Sequence, residues 1–448
     1  MSFGVRRATH QVVNASLSFK GVRDPRRTRY VKHSMAGLLR MLVLTVAAGA
    51  RRMRGVEDLG AMVCKGLLNK LGLSAAPSDT TYVELLARMG TGGLEDELHA
   101  YNKAAMASGA VGRGCFPVRL WVVDGKGGAK GLGEAPNKAL KTTVYNAQHD
   151  KCWHLFQLRS VLVTPDACLC LGQTFLDDKQ GEAKAFAPHL KHLKNIYGDV
   201  ADVLSMDAGL NSAANAEAVL AAAMDYLFGI KENAPKRLRH VKAALADCPV
   251  VATTVERAQG KQCTRTLRRA PAPSALEFPG ATQVLHVTLE ILDADGNAAV
   301  DARFFITSIP AGKLTDDELL ALVRMHWGIE NGSNWTADLV FEEDNHVMCS
   351  SGEAVLVLSW LRLLAMNITA IARAKLKKGK TRPSWQTTIW NVFVALTRCS
   401  CGTCEHLVLA VRRPASRPSC SSRKMHQNEP GNAPGWDAFV LVLTQRNP

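Results

Sequence analysis

Two short apolar runs in the middle of the chain, Arg119–Val123 and Val203–Met206, each stop at an aspartate followed by a glycine-containing turn. Apolar runs of this kind, bounded by turn residues, read as strands, which puts Asp124 and Asp207 at the carboxyl ends of two strands. Around them, roughly Lys141–Ala147 and Trp153–Val163 read as further strands, with the polar stretch Gln148–Lys151 as a hairpin loop. A helical stretch over Gly181–Tyr197 precedes the Asp207 strand. The Ala-rich helix Ser212–Asp225 and the strand Tyr226–Ile230 follow it. The order is β-β-β-α-β-α-β, parts of which many α/β domains share.

Three antiparallel strands followed by alternating helix and strand is what a ribonuclease-H-like mixed sheet requires, so an α/β domain of that kind is expected over 111–348. Residues 1–110 read as a basic, helical N-terminal domain expected to bind DNA. His33–Ala50 has the pattern of a buried helix, Val56–Leu71 keeps helical spacing, and Pro77-Ser78-Asp79 supplies a helix start signal. Residues 248–309 turn mostly strand-like, with turn chemistry at Asp293–Asn297, and 235–310 is expected as a β-rich insertion outside the main sheet. Residues 349–448 read as C-terminal helices and a basic tail. A chain of 448 residues with 47% apolar and 21% charged composition can bury a large core.

The helix over the next block opens at Thr315. Glu318 three residues on completes a capping box, and Asp316 and Asp317 complement the positive end of the helix dipole. Spacings of three and four place Leu320, Val323, Trp327, Glu330 and Asn334 on one face, so Glu330 lies in the stripe that should face the core. A buried carboxylate needs a salt bridge, a raised pKa or a metal ion. Asp124 and Asp207 stand at the sheet edge where ligands of open α/β folds collect, and Glu330 can join them from its helix. Three carboxylates suit two Mg²⁺ (or Mn²⁺) ions, hard cations that would activate an attacking oxygen and stabilise a leaving one at phosphorus. Each residue also has an ordinary reading, a plain turn for the aspartates and an ion pair for the glutamate. Their combination in a basic chain favours the site.

The formal charge of +15 attracts polyanions. Residues 1–60 hold twelve Lys/Arg against Asp24, Glu57 and Asp58, and residues 371–425 hold another twelve against Glu405 alone. Double-stranded DNA is the expected partner. The most apolar helices, near 36–50 and 353–371, are broken by Arg40 and by Arg362 and Asn367. Neither offers about 20 clean apolar residues, so no membrane span is expected. Twelve scattered cysteines and an N-terminus without an apolar leader fit a reducing cytoplasm.

Several blocks carry a family resemblance over about 24–376. They are Asp24-Pro25-Arg26-Arg27, Pro77-Ser78-Asp79-Thr80-Thr81, Val123-Asp124-Gly125-Lys126, Met206-Asp207-Ala208, Asp225-Tyr226 with Lys231-Glu232-Asn233, and Arg324-Met325-His326-Trp327-Gly328-Ile329-Glu330-Asn331. Followed by Trp335, Asp338, Phe341 and Glu343-Asp344, the ordered set resembles bacterial insertion-sequence transposases of the DDE class, in the subgroup containing the H-repeat-associated proteins. The resemblance implies metal-dependent DNA cleavage and strand transfer at element ends, with Asp124, Asp207 and Glu330 as catalytic, metal-holding carboxylates. It also implies element-end and target DNA as partners and a homodimer on DNA. Where relatives usually carry Leu-His, this chain has Ser333-Asn334. Of the wider tyrosine-arginine-glutamate-lysine signature only the glutamate is literal, Val323, His326 and Ala337 standing in the other places. Lys126, Lys231, Arg324 and His326 are expected to contact DNA phosphates beside the carboxylates.

Two other functions remain compatible with these residues, a catalytically inactive DNA-binding descendant and a ribonuclease-H-like nuclease without strand transfer. Cys399, Cys401, Cys404 and His406 have metal-ligand chemistry but crowd into eight residues rather than two separated pairs. Asp177-Asp178 reads as helix capping, and Glu342-Glu343-Asp344 as a solvated acidic loop in preference to an outer shell of the site.

Overall fold

The computed structural model describes residues 17–397 apart from 28–30, 110, 112–115, 136–141, 146–149, 178–180, 259, 294, 345–347, 351–352 and 377–381. Among the described residues five helices come first: α1 (Met35–Ala47), α2 (Met53–Met62), α3 (Lys65–Leu71), α4 (Asp79–Arg88) and α5 (Leu94–Ala107). The start signal at Ser78 is real, since its side chain accepts from the Thr81 backbone N–H and caps α4. Then follow β1 (Leu120–Leu132), β2 (Thr142–Tyr145), β3 (Lys151–Val163), β4 (Cys168–Leu176), α6 (Glu182–Tyr197), β5 (Val203–Met206), α7 (Ala213–Ala221) and β6 (Asp225–Ile230).

Strand β3 runs antiparallel to both β1 and β4, while β5 runs parallel to β1 and β6 parallel to β5. The resulting order β4-β3-β1-β5-β6 is the ribonuclease-H-like sheet, and β2 shares the outer edge of β3 with β4. Strand β4 is not among the strands expected. Along β1 the side chains alternate between two cores. Trp121 and Val123, fully buried, pack with the helical layer, and Leu120 and Val122 pack on the opposite face. A sheet buried on both faces reads as an unbroken apolar run, as it does here.

The glycines after Asp124 do not end β1 as expected. The strand continues to Leu132 in register with β3, with one irregularity between Gly127 and Lys130. Further along the strand Gly131 serves a close approach, because a Cβ there would meet the Trp153 ring at 2.6 Å.

Residues 235–310 also depart from expectation. They begin with α8 (Pro235–Leu245), and β7 (Ala252–Ala258), β8 (Lys261–Pro271), β9 (Gln283–Leu292) and β10 (Ala298–Thr307) form an antiparallel meander. Strand β10 pairs with β6 over Phe304–Thr307, so the segment extends the same ten-stranded sheet instead of lying outside it.

Helix α9 (Asp316–His326) starts with the expected capping box and packs Leu319, Leu320, Leu322 and Val323 on the face of Leu120 and Val122. Helix α10 (Ala354–Lys375) covers the other face and touches α1, α4, α5 and β4, with α11 (Trp385–Thr397) beside it. By length and composition α10 could cross a membrane, but its apolar window is wholly buried inside the protein. Asn367 shows what fixes its register: Nδ2 donates to Asn102 Oδ1 of α5 and to Cys170 O of β4, and Oδ1 accepts from Cys170 N. The N-terminal helices, α10 and this face of the sheet thereby share one core.

Candidate active site

Val123 and Met206 are partners on adjacent parallel strands, so the residues that follow them, Asp124 and Asp207, emerge side by side about one strand spacing, ~4.8 Å, apart. Asp124 Oδ2 accepts from Asn334 Nδ2 at 3.0 Å, and Asp207 Oδ2 accepts from Lys231 Nζ at 3.1 Å. Desolvation, then repulsion from Glu330, Asp207 and Glu182, pushes the Asp124 carboxyl up to about 7. At Asp207 burial opposes ionisation, yet Lys231 and the Ala208 N–H bring its pKa below the ordinary value. Glu330 is raised, by burial first and then by Asp207. Asp124 and Asp207 thus follow paired residues of adjacent strands, and Glu330 lies within electrostatic reach of both.

Glu330 arrives by a distorted helix. After His326 the α-helical hydrogen bonding gives way to π-helical turns over Glu330–Asn334 and Thr336–Val340, with Trp335 N–H bonding to Glu330 O and Phe341 N–H to Thr336 O. Such widened turns cluster at functional sites. Gly328 and Gly332 let this segment lie against the sheet, since a Cβ at either would sit 2.7 Å from Val163 or Cys168 side-chain atoms. Glu330 and Asn334 reach Asp124 from these turns, not from a continuous face of α9.

A buried ion network anchors the far end of the segment. Arg159 on β3, fully buried, donates to both oxygens of Glu343 at 3.1 and 3.2 Å. Lys126 Nζ pairs with Asp338 and lies 3.6 Å from Glu343 Oε2, and Arg362 donates to the Glu343 carbonyl. Burial works against ionisation of Glu343, but Arg159, Lys126 and Arg362 outweigh it and hold its pKa at about 2. Glu343 is thus a structural anchor and not part of a solvated loop.

The expected DNA contacts sort differently. Lys126 is 5% exposed and committed to Asp338 and Glu343, so it does not face DNA. His326 is also buried, and desolvation above all lowers its pKa to about 4, leaving it neutral. Ser205 donates its hydroxyl proton to Leu227 O, so its oxygen accepts from His326 Nδ1–H at 2.8 Å. A neutral, buried imidazole is no phosphate clamp. Arg324 Nη1 pairs with Glu256 on β7. Lys231 alone of the four stands half-exposed at a carboxylate of the site. The Cys399–His406 cluster lies outside the described residues, as does Asp178.

Asn334 lies on the stripe that the sequence predicts, which says nothing of its bond to Asp124. Glu182, in the first turn of α6, is remote in sequence, and the glycine after Asp124 is the one local sign of its approach. Beside Asp207 a cleft of about 480 Å³ opens, lined by Lys231, Lys242, Arg303, Phe304 and Trp327 among others, so the sheet extension supplies one of its walls.

Among the described residues no three His, Cys, Asp or Glu side chains stand close enough to hold one ion together. The donor set nonetheless fits hard cations. All three side chains offer oxygen, Glu330 Oε2 is buried without a hydrogen-bond partner, and three other carboxylates repel Asp124.

Comparison with known proteins shows the family of this chain. A family model described as the transposase DDE domain matches residues 134–368, more than half of the chain, spanning Asp207 and Glu330 and beginning just after Asp124. A second, described as DDE_Tnp_1-associated, matches 17–101. Two proteins of Escherichia coli (strain K12) are each 22% identical, over 77% of this chain and 87% of their own length: YbfL and the "H repeat-associated putative transposase YhhI". The structure titled as the piggyBac transposase synaptic complex with hairpin DNA aligns with a TM-score of 0.38 and 10% identity, over 88% of this chain and 78% of its own, too distant to bear on the fold. The chain belongs to the bacterial DDE transposases, in the subgroup of the H-repeat-associated proteins.

Proposed function

We propose that this transposase cleaves DNA at the ends of its element and joins the freed 3′ ends to target DNA, with Asp124, Asp207 and Glu330 as its catalytic carboxylates. The observation that carries the reading is the mutual crowding of these three acids at the carboxyl edge of β1 and β5, with a buried, unpartnered oxygen on Glu330. Asp124, Asp207 and Glu330 would hold divalent cations, Mg²⁺ or Mn²⁺, two per site. When bound, such ions polarise the phosphate and ease departure of the leaving oxygen.

The protein's own groups set the stage for that chemistry. Asn334 Nδ2 orients the Asp124 carboxylate through Oδ2, and Lys231 Nζ orients Asp207 through Oδ2. Lys231 is also placed to approach a DNA phosphate at the cleft, with Lys242 and Arg303 lining its wall. The buried Arg159–Glu343–Lys126 network holds the π-helical segment against the sheet, so that Glu330 keeps its position opposite Asp124. Each chain carries one set of carboxylates and two ends must be joined, which calls for two copies on DNA, acting in the cytoplasm.

The test is incubation of the full-length protein with its own element ends and Mg²⁺, scoring nicks and joined products. Nicks with joined products are expected. Nicks alone would identify a nuclease of the same fold, and DNA binding without nicks would identify an inactive descendant.

A further inference from the structure

Gly125 follows Asp124 on β1 without a positive φ and without ending the strand, so neither a turn nor a backbone conformation explains the glycine. Space does. A Cβ built at position 125 would overlap the carboxylate of Glu182. Glu182 is the first residue of α6, which rests on β3, β4 and the short 3₁₀ turn Ala208–Leu210 that follows Asp207. A glutamate in the first turn of a helix commonly serves that helix's positive end. This one instead extends across to β1 and lies over the residue next to Asp124, close enough to be among the carboxylates that repel it. Glu330, another of the carboxylates that repel Asp124, leaves its Oε2 buried with no hydrogen-bond partner. Acids gathered around one carboxylate and packed against bare backbone are the arrangement a hard cation, with its six or more oxygen ligands, would favour.

We propose that Glu182 is a fourth acidic ligand of the active site, sharing with Asp124 a divalent cation, and that Gly125 is glycine to admit it. The proposal rests on the reading of Asp124, Asp207 and Glu330 as cation-holding residues and adds a member from the helix that precedes β5.

The experiment uses full-length protein without DNA: wild type, Glu182→Gln, Glu182→Asp and Asp124→Asn, with Mn²⁺ as the probe. Mn²⁺ affinity is read by electron paramagnetic resonance, and thermal unfolding is followed in chelator and in saturating Mn²⁺. Glu182→Gln should weaken Mn²⁺ binding by about tenfold or more, the loss that even outer partners of metal ligands produce. It should also unfold at a higher temperature than wild type in chelator, because one repelling charge is gone, and gain less from Mn²⁺. Glu182→Asp, which keeps the charge on a shorter arm, should bind with intermediate affinity. If Asp124→Asn weakens Mn²⁺ binding while Glu182→Gln leaves both affinity and chelator stability unchanged, Glu182 is only a helix-start residue and the proposal is overturned. If neither substitution changes Mn²⁺ binding, the underlying reading of the carboxylates has failed as well.

Discussion

Glu343 offers the sharpest test of how the active-site segment is held. It is 1% exposed, its carboxylate is gripped by both arms of contact from Arg159 Nη2, and Lys126 stands at 3.6 Å. The replacement Glu343→Gln keeps the shape and removes the charge, leaving buried Arg159 without its carboxylate. Two independent estimates agree on the cost. Breaking a buried pair by removing one partner costs about 3–5 kcal/mol. A carboxyl held at about 2 instead of 4.5 contributes about 3 kcal/mol at neutral pH. Because the folded pKa lies below the unfolded one, this contribution is complete above about pH 5 and is lost as pH falls through 2. Urea unfolding in chelator should therefore show Glu343→Gln less stable than wild type by about 3 kcal/mol at pH 7. The gap should narrow by about 2 kcal/mol by pH 3. Metal-dependent nicking should fall in the same variant, since Glu330 rides on the segment that Glu343 anchors. A variant within about 1 kcal/mol of wild type at pH 7, or a gap that does not change with pH, would refute the reasoning.

Three further outcomes are expected. Asp124→Asn should abolish nicking, spare DNA binding, and stabilise the protein in chelator by about 2–4 kcal/mol above pH 7 but not at pH 4. The sign follows from a folded pKa raised to about 7, whose favourable contribution is present below 3.8 and lost as pH rises through 7; equal stability of the two proteins at pH 8 would contradict it. Lys231→Ala should weaken DNA binding and reduce its logarithmic salt slope by about 1, whereas Lys126→Ala should leave the slope unchanged and lower the unfolding temperature, as gel shifts over a salt series and a melting curve would show. Truncation after Thr397 should leave a folded protein that still nicks single ends but pairs two ends poorly in a gel shift, while truncation after Leu376 should also cost folding, because it removes α11 and the buried Val392 and Leu396.

What could be read from the sequence was what a few neighbouring residues decide. The capping box at Thr315 and Glu318 and the cap at Ser78 act within one helical turn, so their signals are local and correct. Asp124 and Asp207 were legible because a β-branched run and the residue that follows it need no knowledge of the rest of the chain, and Glu330 because an acid in an apolar stripe is an anomaly by itself. The glycines after Asp124 misled because the same residue serves turns and close approaches, and only the arrival of Glu182 and Trp153 from other elements decides between them.

Tertiary structure alone decided which charges meet. Lys126 and Glu343 are remote in sequence, as are Arg159 and Glu343, and nothing near Lys126 distinguishes a lysine bound for DNA from one bound for a buried carboxylate. His326 carries no local mark of neutrality; Ser205 and the surrounding burial impose it. The meander β7–β10 was recognisable as strands, but its attachment to β6 depends on pairing partners that no local pattern specifies. Caps and periodicity are set by the chain's own nearest neighbours, whereas protonation, ion pairing and sheet order depend on what the fold brings close and on how much water it excludes.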